Sequence, residues 1–302
     1  MRRFLLLLIL IGAAAGGAAW WLSAPAPLPA PRLAAVTAHA PDPENGAQVF
    51  HAAGCASCHA GARAEGEDRL ILAGGQELES DFGTFVAPNI SPDPTHGIGA
   101  WSLENFATAM LAGVSPDGQH YYPAFPYASY TRMTEADVAD LWAFLGTLPA
   151  TDRANAPNDL DFPFTLRRGI GLWKWRYMSD DWVAAAPSDT LERGRYLVEA
   201  LGHCAECHTP RDGFGGLEIA RWMGGAPNPS GRGTIPNITP AVLSWTAADI
   251  SYYLETGFTP DYDSAGGSMA SVVRNLASLT AEDRDAIAAY VKGLAPVERP
   301  EG

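Results

Sequence analysis

All four cysteines of this 302-residue chain lie in two copies of one short motif, Cys-x-x-Cys-His. The motif residues are Cys55, Cys58 and His59 in the first copy and Cys204, Cys207 and His208 in the second. Two cysteines three positions apart on a helical turn can each form a thioether with one haem vinyl group. The histidine that follows then lies under the iron as its proximal ligand. The motifs therefore predict two haem c groups, attached through the four cysteines, with the two histidines as iron ligands.

Other uses of these cysteines fit the sequence less well. A zinc site needs four ligands, whereas each motif offers three and no second pair at zinc-finger spacing follows in the same half. A redox-active dithiol is expected beside a βαβ unit, which the sequence does not predict. A structural disulfide would not require a histidine at the same place twice. Covalent haem accounts for all of these features.

A six-coordinate haem needs a distal ligand, and methionine in that position raises the reduction potential. For the second haem, Met269 is favoured over Met223 because a Gly-Gly-Ser run before Met269 predicts a flexible loop, whereas Met223 follows a tryptophan and fits a core position. For the first haem, Met133 is favoured because it lies in the loop before the last helix of its half. Met110 falls on an apolar helix face, and His120 is the remaining alternative.

Landmarks around the two motifs recur in the same order, which indicates an internal duplication. Pro-Asn-Ile-Ser/Thr-Pro spans residues 88–92 and 236–240, and a Trp-Ser/Thr pair and a glycine follow in each half. Thr134 and Thr280 fit N-caps, because apolar residues recur behind them at helical spacing.

The elements that must position the motifs are predicted to be helices joined by long loops. Ser102 and Thr246 begin a further helix in each half, and the Gly- and Pro-rich stretches 61–100 and 209–240 predict ordered loops. The predicted fold is all-α, with buried haem supplying the apolar core that short helices lack. The predicted divisions are a membrane anchor or signal segment (1–30), a first haem domain (31–152), an aromatic, packed connector (153–186) and a second haem domain (187–302).

The amino terminus predicts export. Met1-Arg2-Arg3 precedes 19 uncharged residues that end at Leu22, which is long enough for a single membrane anchor. A cleaved signal with a site at Ala24-Pro25-Ala26 is the alternative. The Ala- and Pro-rich residues 23–43 predict an extended spacer, or a disordered tail.

The charge balance limits the partners. With 20 basic and 34 acidic residues, the formal net charge is −14. Such a balance argues against binding to nucleic acid or to an anionic membrane surface through a basic patch, and it suggests a basic docking partner.

The motifs as a set resemble the multihaem cytochrome c subunits of bacterial membrane-bound alcohol, aldehyde and sugar-acid dehydrogenases. The similar segments include the Pro-Asn-Ile motifs, the run from Asp117 to Tyr127, and the connector Phe162-Pro163-Phe164 with Trp173-Lys174. The resemblance implies two tandem class I cytochrome c domains. In that fold the first and last helices cross, with Gly46 and Gly194 as small crossing residues against the aromatic residues Phe144 and Tyr290.

The resemblance also implies a function. It implies electron transfer in the periplasm, from a dehydrogenase to a quinone site, terminal oxidase or another cytochrome of the respiratory chain, by an inner-membrane protein without catalytic activity of its own. Two departures stand out: such subunits usually carry three haems, and they often have methionine where this chain has Phe125. The second departure keeps open an alternative, a dihaem peroxidase or thiosulfate-oxidising enzyme that binds substrate at the first haem.

Overall fold

The computed structural model describes residues 1–229 and 233–298. Its helices are α1 (Arg2–Leu22), α2 (Ala30–Ala38), α3 (Pro43–Ala52), α4 (Cys55–His59), α5 (Leu103–Ala112), α6 (Tyr127–Tyr130), α7 (Glu135–Leu145), α8 (Arg168–Tyr177), α9 (Asp189–Arg195), α10 (Ala205–His208), α11 (Ala247–Thr256), α12 (Gly267–Leu276) and α13 (Ala281–Lys292). Its strands are β1 (Glu77–Ser80), β2 (Gly83–Val86), β3 (Asp159–Leu160), β4 (Ala226–Pro227) and β5 (Thr234–Ile235). Both halves are therefore mostly helical.

Each half is built on a close crossing of its first and last helices. In the first half α3 crosses α7, and a Cβ atom added at Gly46 would stand 2.1 Å from the carbonyl oxygen of Asp140. In the second half α9 crosses α13, and a Cβ atom added at Gly194 would stand 2.1 Å from the carbonyl oxygen of Ala286. In both halves that added atom would also stand 2.8 Å from the Cβ of the aromatic residue of the last helix. The small crossing residues that the resemblance implies are thus confirmed.

The predicted helix starts are confirmed at four N-caps. The hydroxyls of Ser102, Thr134, Thr246 and Thr280 each accept a hydrogen bond from the backbone N–H three residues on, at 3.1–3.3 Å. These bonds satisfy N–H groups that have no partner inside the helix. Both α5 and α11 end at a left-handed glycine, with φ of 61° and 79°.

The all-α prediction is incomplete, because two small antiparallel sheets form, mostly in stretches predicted as loops. β1, β2 and β3 pair in that order, and β4 pairs with β5. Each strand has only two to four residues, too few for the alternation by which a strand is recognised in a sequence. Because β3 belongs to the connector, the first sheet ties the connector to the first half.

The prediction of a spacer or disordered tail over residues 23–43 is wrong. Residues 30–38 form helix α2, which packs against α5 and α7 and buries Val36 completely. Arg32 fixes this helix, because its Nε lies 2.6 Å from a carboxylate oxygen of Glu135 and its Nη1 donates to the carbonyl of Thr131 at 3.0 Å. A helix of nine residues is marginal by itself in water, so α2 depends on contacts that arise only in the folded chain.

Helix α1 projects from the haem domains. Its mean hydropathy is 2.1 over 18 residues, and none of these residues is buried in the protein. Both observations are compatible with a membrane anchor. Contact with the remainder of the chain is concentrated at its carboxyl end. There the backbone of Ser23 packs against Gly171 of α8 so closely that a Cβ atom at Gly171 would stand 2.3 Å from the Ser23 carbonyl oxygen.

The connector is only partly packed. Trp173 of α8 contacts Tyr127 with ring centroids 6.5 Å apart, and the Tyr122 hydroxyl donates to the carbonyl of Phe164 at 3.0 Å. The side chain of Trp175 is nevertheless exposed, together with several other apolar residues of the connector. The prediction of a packed aromatic connector therefore holds only in part, at β3, at Phe164 and on one face of α8.

Candidate functional site

Each Cys-x-x-Cys-His motif lies on a short helix that is entered through a left-handed residue. Helix α4 carries the first motif and follows Gly54, which has φ of 65°. Helix α10 carries the end of the second motif, and the equivalent residue before Cys204 is His203, with φ of 38°. Residues three apart on a helix face the same side, so both cysteines of a motif can meet one porphyrin edge. Local structure therefore suits thioether attachment in both halves.

The second half contains one extra residue between its crossing glycine and its first cysteine. Gly46 and Cys55 are nine positions apart, whereas Gly194 and Cys204 are ten positions apart. A π-helix over Tyr196–Leu201 takes up the additional residue, as π-bulges often do near functional sites. The two motifs thereby keep equivalent places relative to their helix crossings. The unequal glycine-to-cysteine spacing in the sequence could have indicated this extra helical residue.

The histidines of the two motifs are oriented by backbone carbonyls that could not be identified from the motifs themselves. His59 Nδ1 lies 2.8 Å from the carbonyl oxygen of Pro88, and His208 Nδ1 lies 2.8 Å from that of Pro236. An imidazole that donates through Nδ1 presents Nε2 as the free lone pair for a metal. The repeated Pro-Asn-Ile segment therefore sets the tautomer and orientation of each histidine.

The asparagine of each Pro-Asn-Ile segment holds that segment in place. The amide nitrogen of Asn89 donates to the carbonyls of Thr151 and Arg153 at 2.8 and 3.0 Å. The amide nitrogen of Asn237 donates to the carbonyl of Val297 at 2.6 Å. In both halves the asparagine thus connects the histidine-orienting loop to the chain that follows the last helix.

The motif side chains are half-buried, apart from the exposed Cys207, and their surroundings fit haem binding. Burial lowers the pKa of His59 and of His208, with partial opposition from their hydrogen bonds to carbonyls, so both imidazoles are neutral and able to ligate iron. Burial raises the pKa of the Cys55 and Cys204 thiols to about 12. Reactive redox thiols have lowered pKa values, so these environments disagree with a catalytic dithiol.

The two methionine candidates of the second half occupy different environments. Met269 lies in the first turn of α12 and is half-buried, so the prediction that it lies in a flexible loop is wrong. Met223 is completely buried, and its carbonyl accepts the N–H of Ile238 at 3.0 Å. In the first half the carbonyl of Leu72 accepts the N–H of Ile90 at the same distance. Met223 therefore has the place of a core leucine.

Met133 also corresponds to a leucine of the other half. It is 1% exposed, and its N–H donates to the carbonyl of Tyr130 at 2.8 Å. The N–H of Leu279 donates to Leu276 in the same way at 3.1 Å, and each residue directly precedes the N-cap of the last helix. The position of Met133 is thus consistent both with packing in the core and with ligation of iron.

Neither of the other two first-haem candidates is more favourably placed. Met110 is buried in α5 among core side chains. His120 Nε2 lies 2.9 Å from the carbonyl of Ser23, at the junction of anchor and connector. Phe125 is the residue of the first half that corresponds to Met269. The N–H of Tyr121 donates to the carbonyl of Gly113, and the N–H of Ala265 donates to that of Gly257, both at 2.8 Å. Phe125 and Met269 each lie four residues after the donor of this matching bond.

The two attachment segments contact each other. The hydroxyl of Tyr130 donates to the carbonyl of Ala53 at 3.1 Å, and its ring centroid lies 5.7 Å from that of His203. The pKa of the Cys58 thiol is raised by burial and then by the charge of Cys207 of the other motif. Ala53, two residues before Cys55, and His203, directly before Cys204, thus meet at Tyr130.

A second contact joins the halves at α12. The amide nitrogen of Asn275 donates to the Ser57 hydroxyl of the first motif at 2.7 Å, and the Ser271 hydroxyl lies 3.0 Å from the same oxygen. Arg69 donates to the amide oxygen of Asn275 at 2.5 Å. The helix that carries Met269 therefore packs directly on the helix that carries the first Cys-x-x-Cys-His motif.

Comparison with known proteins agrees with this geometry. The family model for cytochrome c matches residues 43–149 and 191–295. A diheme cytochrome c-type protein of Cereibacter sphaeroides is 58% identical over 256 residues, covering 84% of this chain and 86% of that protein. The fructose dehydrogenase cytochrome subunit of Gluconobacter japonicus is 36% identical, covering 85% of this chain and 54% of the subunit.

A third relative is the cytochrome c subunit of a quinone-dependent alcohol dehydrogenase of Gluconobacter oxydans, 34% identical over 88% of this chain and 58% of the subunit. The chain thus spans little more than half the length of these two dehydrogenase subunits. Two family matches and two suitable motifs mean that the chain carries two haem c groups. The chain belongs to the cytochrome c family.

Proposed function

We propose that this chain transfers electrons in the periplasm, from a dehydrogenase to a quinone site, a terminal oxidase or another cytochrome. The observation that carries the proposal is the contact between the two attachment segments through Tyr130 and His203. Haem c supplies the one-electron redox chemistry when bound, and the chain holds its two attachment sites side by side. The names of the relatives, cytochrome subunits of fructose and alcohol dehydrogenases, support a dehydrogenase as the donor.

In this proposal the motif residues have distinct roles. The thiols of Cys55, Cys58, Cys204 and Cys207 form the thioethers. His59 and His208 ligate iron through Nε2, and their Nδ1 atoms donate to Pro88 and Pro236. The carbonyl partners hold each ring against rotation, which would keep Nε2 available as the iron ligand.

Met269 is the proposed distal ligand of the second haem. Its rival, Met223, has the place of core residue Leu72, which supports this choice. The variant M269L keeps the volume and apolar character of the side chain, so the fold should survive. We expect one of the two haems to lose its low-spin methionine-ligated spectrum and to fall in potential. The matched variant M223L should leave both haems unchanged, and the reverse pattern would contradict the assignment.

Met133 is the proposed distal ligand of the first haem. Leu279 has the equivalent place in the second half. The variant M133L therefore introduces a side chain that already packs at this place in the other half. A ligand role predicts loss of one methionine-ligated haem in M133L and retention in M110L. An unchanged spectrum in M133L would show that Met133 only packs in the core, and it would overturn the proposal.

A dihaem enzyme is the second candidate, because Phe125 stands where the second half has Met269. A phenylalanine cannot ligate iron, so the first haem would then keep an open position for substrate, of the peroxidase or thiosulfate-oxidising type. The test is consumption of hydrogen peroxide or thiosulfate by the purified protein in the presence of a redox partner. Turnover that F125M abolishes would favour the enzyme, and no turnover would favour electron transfer.

We further propose that α1 anchors the chain in the bacterial inner membrane with both haem domains in the periplasm. Arg2 and Arg3 are the first residues of α1, ahead of its apolar run, and basic residues stay on the cytoplasmic side. The anchored protein should resist alkaline carbonate extraction and be degraded by protease added to spheroplasts. Release by carbonate would contradict anchoring, and protection from protease would contradict the periplasmic location.

Electron transfer itself is tested in membranes that contain the chain and its partners. Under anaerobic conditions, addition of an alcohol, aldehyde or sugar-acid substrate should reduce both haems, and air should reoxidise them. Membranes from a strain that lacks the chain are the matched control, and in them substrate-dependent oxygen consumption should fall. Haems that stay oxidised with every substrate, while dithionite reduces them, would contradict the proposed role.

A further inference from the structure

The exposed side of the connector combines apolar and basic side chains, which is unusual for this acidic chain. Its apolar members and adjoining arginine, which we call the connector surface, are Phe162, Phe164, Leu166, Leu172, Trp175 and Arg176. Phe162 is 80% exposed and Trp175 is 68% exposed. Single exposed apolar residues are normal on a soluble protein, but five large ones between residues 162 and 175 are a local concentration.

The connector as a whole, residues 153–186, has five basic and four acidic residues, but its middle is basic. Residues 162–178 contain four basic residues and no acidic one, whereas the whole chain has a formal net charge of −14. Lys174 points inward, since its Nζ donates to the carbonyls of Ala112 and Gly113 at 2.7 and 2.6 Å, and burial lowers its pKa to about 7. Arg167 and Arg168 are half-buried and donate to the carbonyls of His120 and Trp20 at 3.2 and 2.5 Å, whereas Arg176 is exposed. The overall charge argues against a basic membrane-binding patch, yet this segment carries three arginines and no acidic residue of its own.

The connector surface is continuous with the end of the proposed anchor. Arg168 lies over the Trp20 ring at 4.2 Å from its centroid and donates to the Ser23 hydroxyl at 2.9 Å. Gly171 of α8 packs directly on the Ser23 backbone. Tryptophans at the end of a membrane helix lie at the level of the lipid headgroups. Helix α8 is therefore held at that same level.

The exposed residues of α8 form one face. Gly169, Leu172 and Arg176 are spaced at three and four residues, with Trp175 beside them, and all four are exposed while Gly171 is buried. An exposed helix face that combines Leu172 and Trp175 with Arg176 suits a helix that lies in the plane of a membrane interface. Tryptophan and arginine have an apolar body and a polar or charged end, so they fit the boundary between acyl chains and headgroups.

We propose that the connector surface binds the anionic lipid headgroup region of the bilayer in which α1 is anchored. This second attachment orients both haem domains relative to the membrane plane. The inference rests on the proposed anchoring of α1, but it adds a surface that the anchor does not require. A protein partner at the same surface is the competing occupant.

The test uses the full-length holoprotein in vesicles of phosphatidylcholine with and without phosphatidylglycerol. A nitroxide label is attached to W175C or, as the matched control, to Y262C, because Tyr262 is 96% exposed in the second haem domain. The native cysteines are thioether-linked, so only the introduced thiol reacts. Collision with oxygen, which concentrates in lipid, is compared with collision with a water-soluble nickel chelate.

We expect the oxygen-to-nickel collision ratio at position 175 to be severalfold higher than at position 262, and higher with phosphatidylglycerol than without it. Adding R176E to the W175C chain should lower the ratio in anionic vesicles. Equal ratios at positions 175 and 262 would overturn the proposal and leave a protein partner as the occupant. Carbonate extraction of the same vesicles tests α1 separately, so failure of the anchor and failure of the surface are distinguishable.

Discussion

Replacing Gly46 by alanine tests the helix crossing that positions the first haem domain. The added Cβ atom would stand 2.1 Å from the Asp140 carbonyl oxygen, whereas a carbon–oxygen contact needs about 3.3 Å. Helices α3 and α7 would have to separate by about 1 Å. A gap of about 0.5–1 Å forfeits roughly a quarter to a half of a dispersion contact, and this loss extends along the whole crossing.

The expected cost of G46A is about 3 kcal/mol, at the upper end of overpacking effects, because a backbone carbonyl cannot rotate away. Guanidinium chloride unfolding of the holoprotein, followed by far-ultraviolet circular dichroism, measures it. With a slope of about 4 kcal/mol per molar, the midpoint of the first domain should fall by about 0.75 M.

The matched control is G169A in helix α8, where an added Cβ atom meets nothing within 4 Å. Alanine is the better helix former, so this variant should be unchanged or more stable by up to about 1 kcal/mol. If G46A unfolds at the same denaturant concentration as the parent chain, the close crossing is refuted. A loss of stability in G169A equal to that in G46A would show that any added methyl group destabilises the chain.

Three further predictions concern pH, backbone strain and salt. Burial of Asp140 acts to raise its pKa, but hydrogen bonds from the Asp42 N–H, Asn45 and His39 outweigh it and lower the pKa. The ionised carboxylate therefore stabilises the fold at pH values above about 3.9, the pKa of aspartate in the unfolded chain. This stabilisation is lost as the pH falls through the lower pKa of the folded protein. Hence D140N should be less stable than the parent at pH 7, with a difference that shrinks at pH 3; a constant difference in unfolding midpoint would refute this. Tyr262 has φ of 64°, so Y262G should raise the free energy of unfolding by about 0.5–1 kcal/mol, and a loss of stability would count against strain there. Reduction by a basic redox partner should slow as ionic strength rises, and a salt-independent rate would exclude electrostatic steering by the acidic surface.

Much of the helical framework could be predicted because its signals are local. Thr134 and Thr280 cap the last helices as the sequence indicates, and the crossing glycines occupy close approaches. The docking of α2 could not be predicted, because Val36 finds its partners only in the folded chain. The short strands could not be predicted for a different reason. A strand of two to four residues is too short to show alternation of apolar and polar residues.

The haem attachment residues could be proposed from sequence because all of them lie within one helical turn. The carbonyls that orient the histidines could not, since Pro88 lies 29 residues from His59. The distal ligands depend on how a loop folds over the haem, and here the fold puts Met269 on a helix and aligns Met133 with a leucine. Spacing alone does not distinguish a core methionine from a ligand.

Carbon monoxide binding to the fully reduced holoprotein tests the central claim most directly. An electron-transfer protein with two six-coordinate, low-spin haems has no open iron position. We therefore predict that carbon monoxide leaves the Soret and α bands of both haems unchanged. A shift of the bands for one haem would contradict electron transfer as the sole function and would support substrate binding at the first haem.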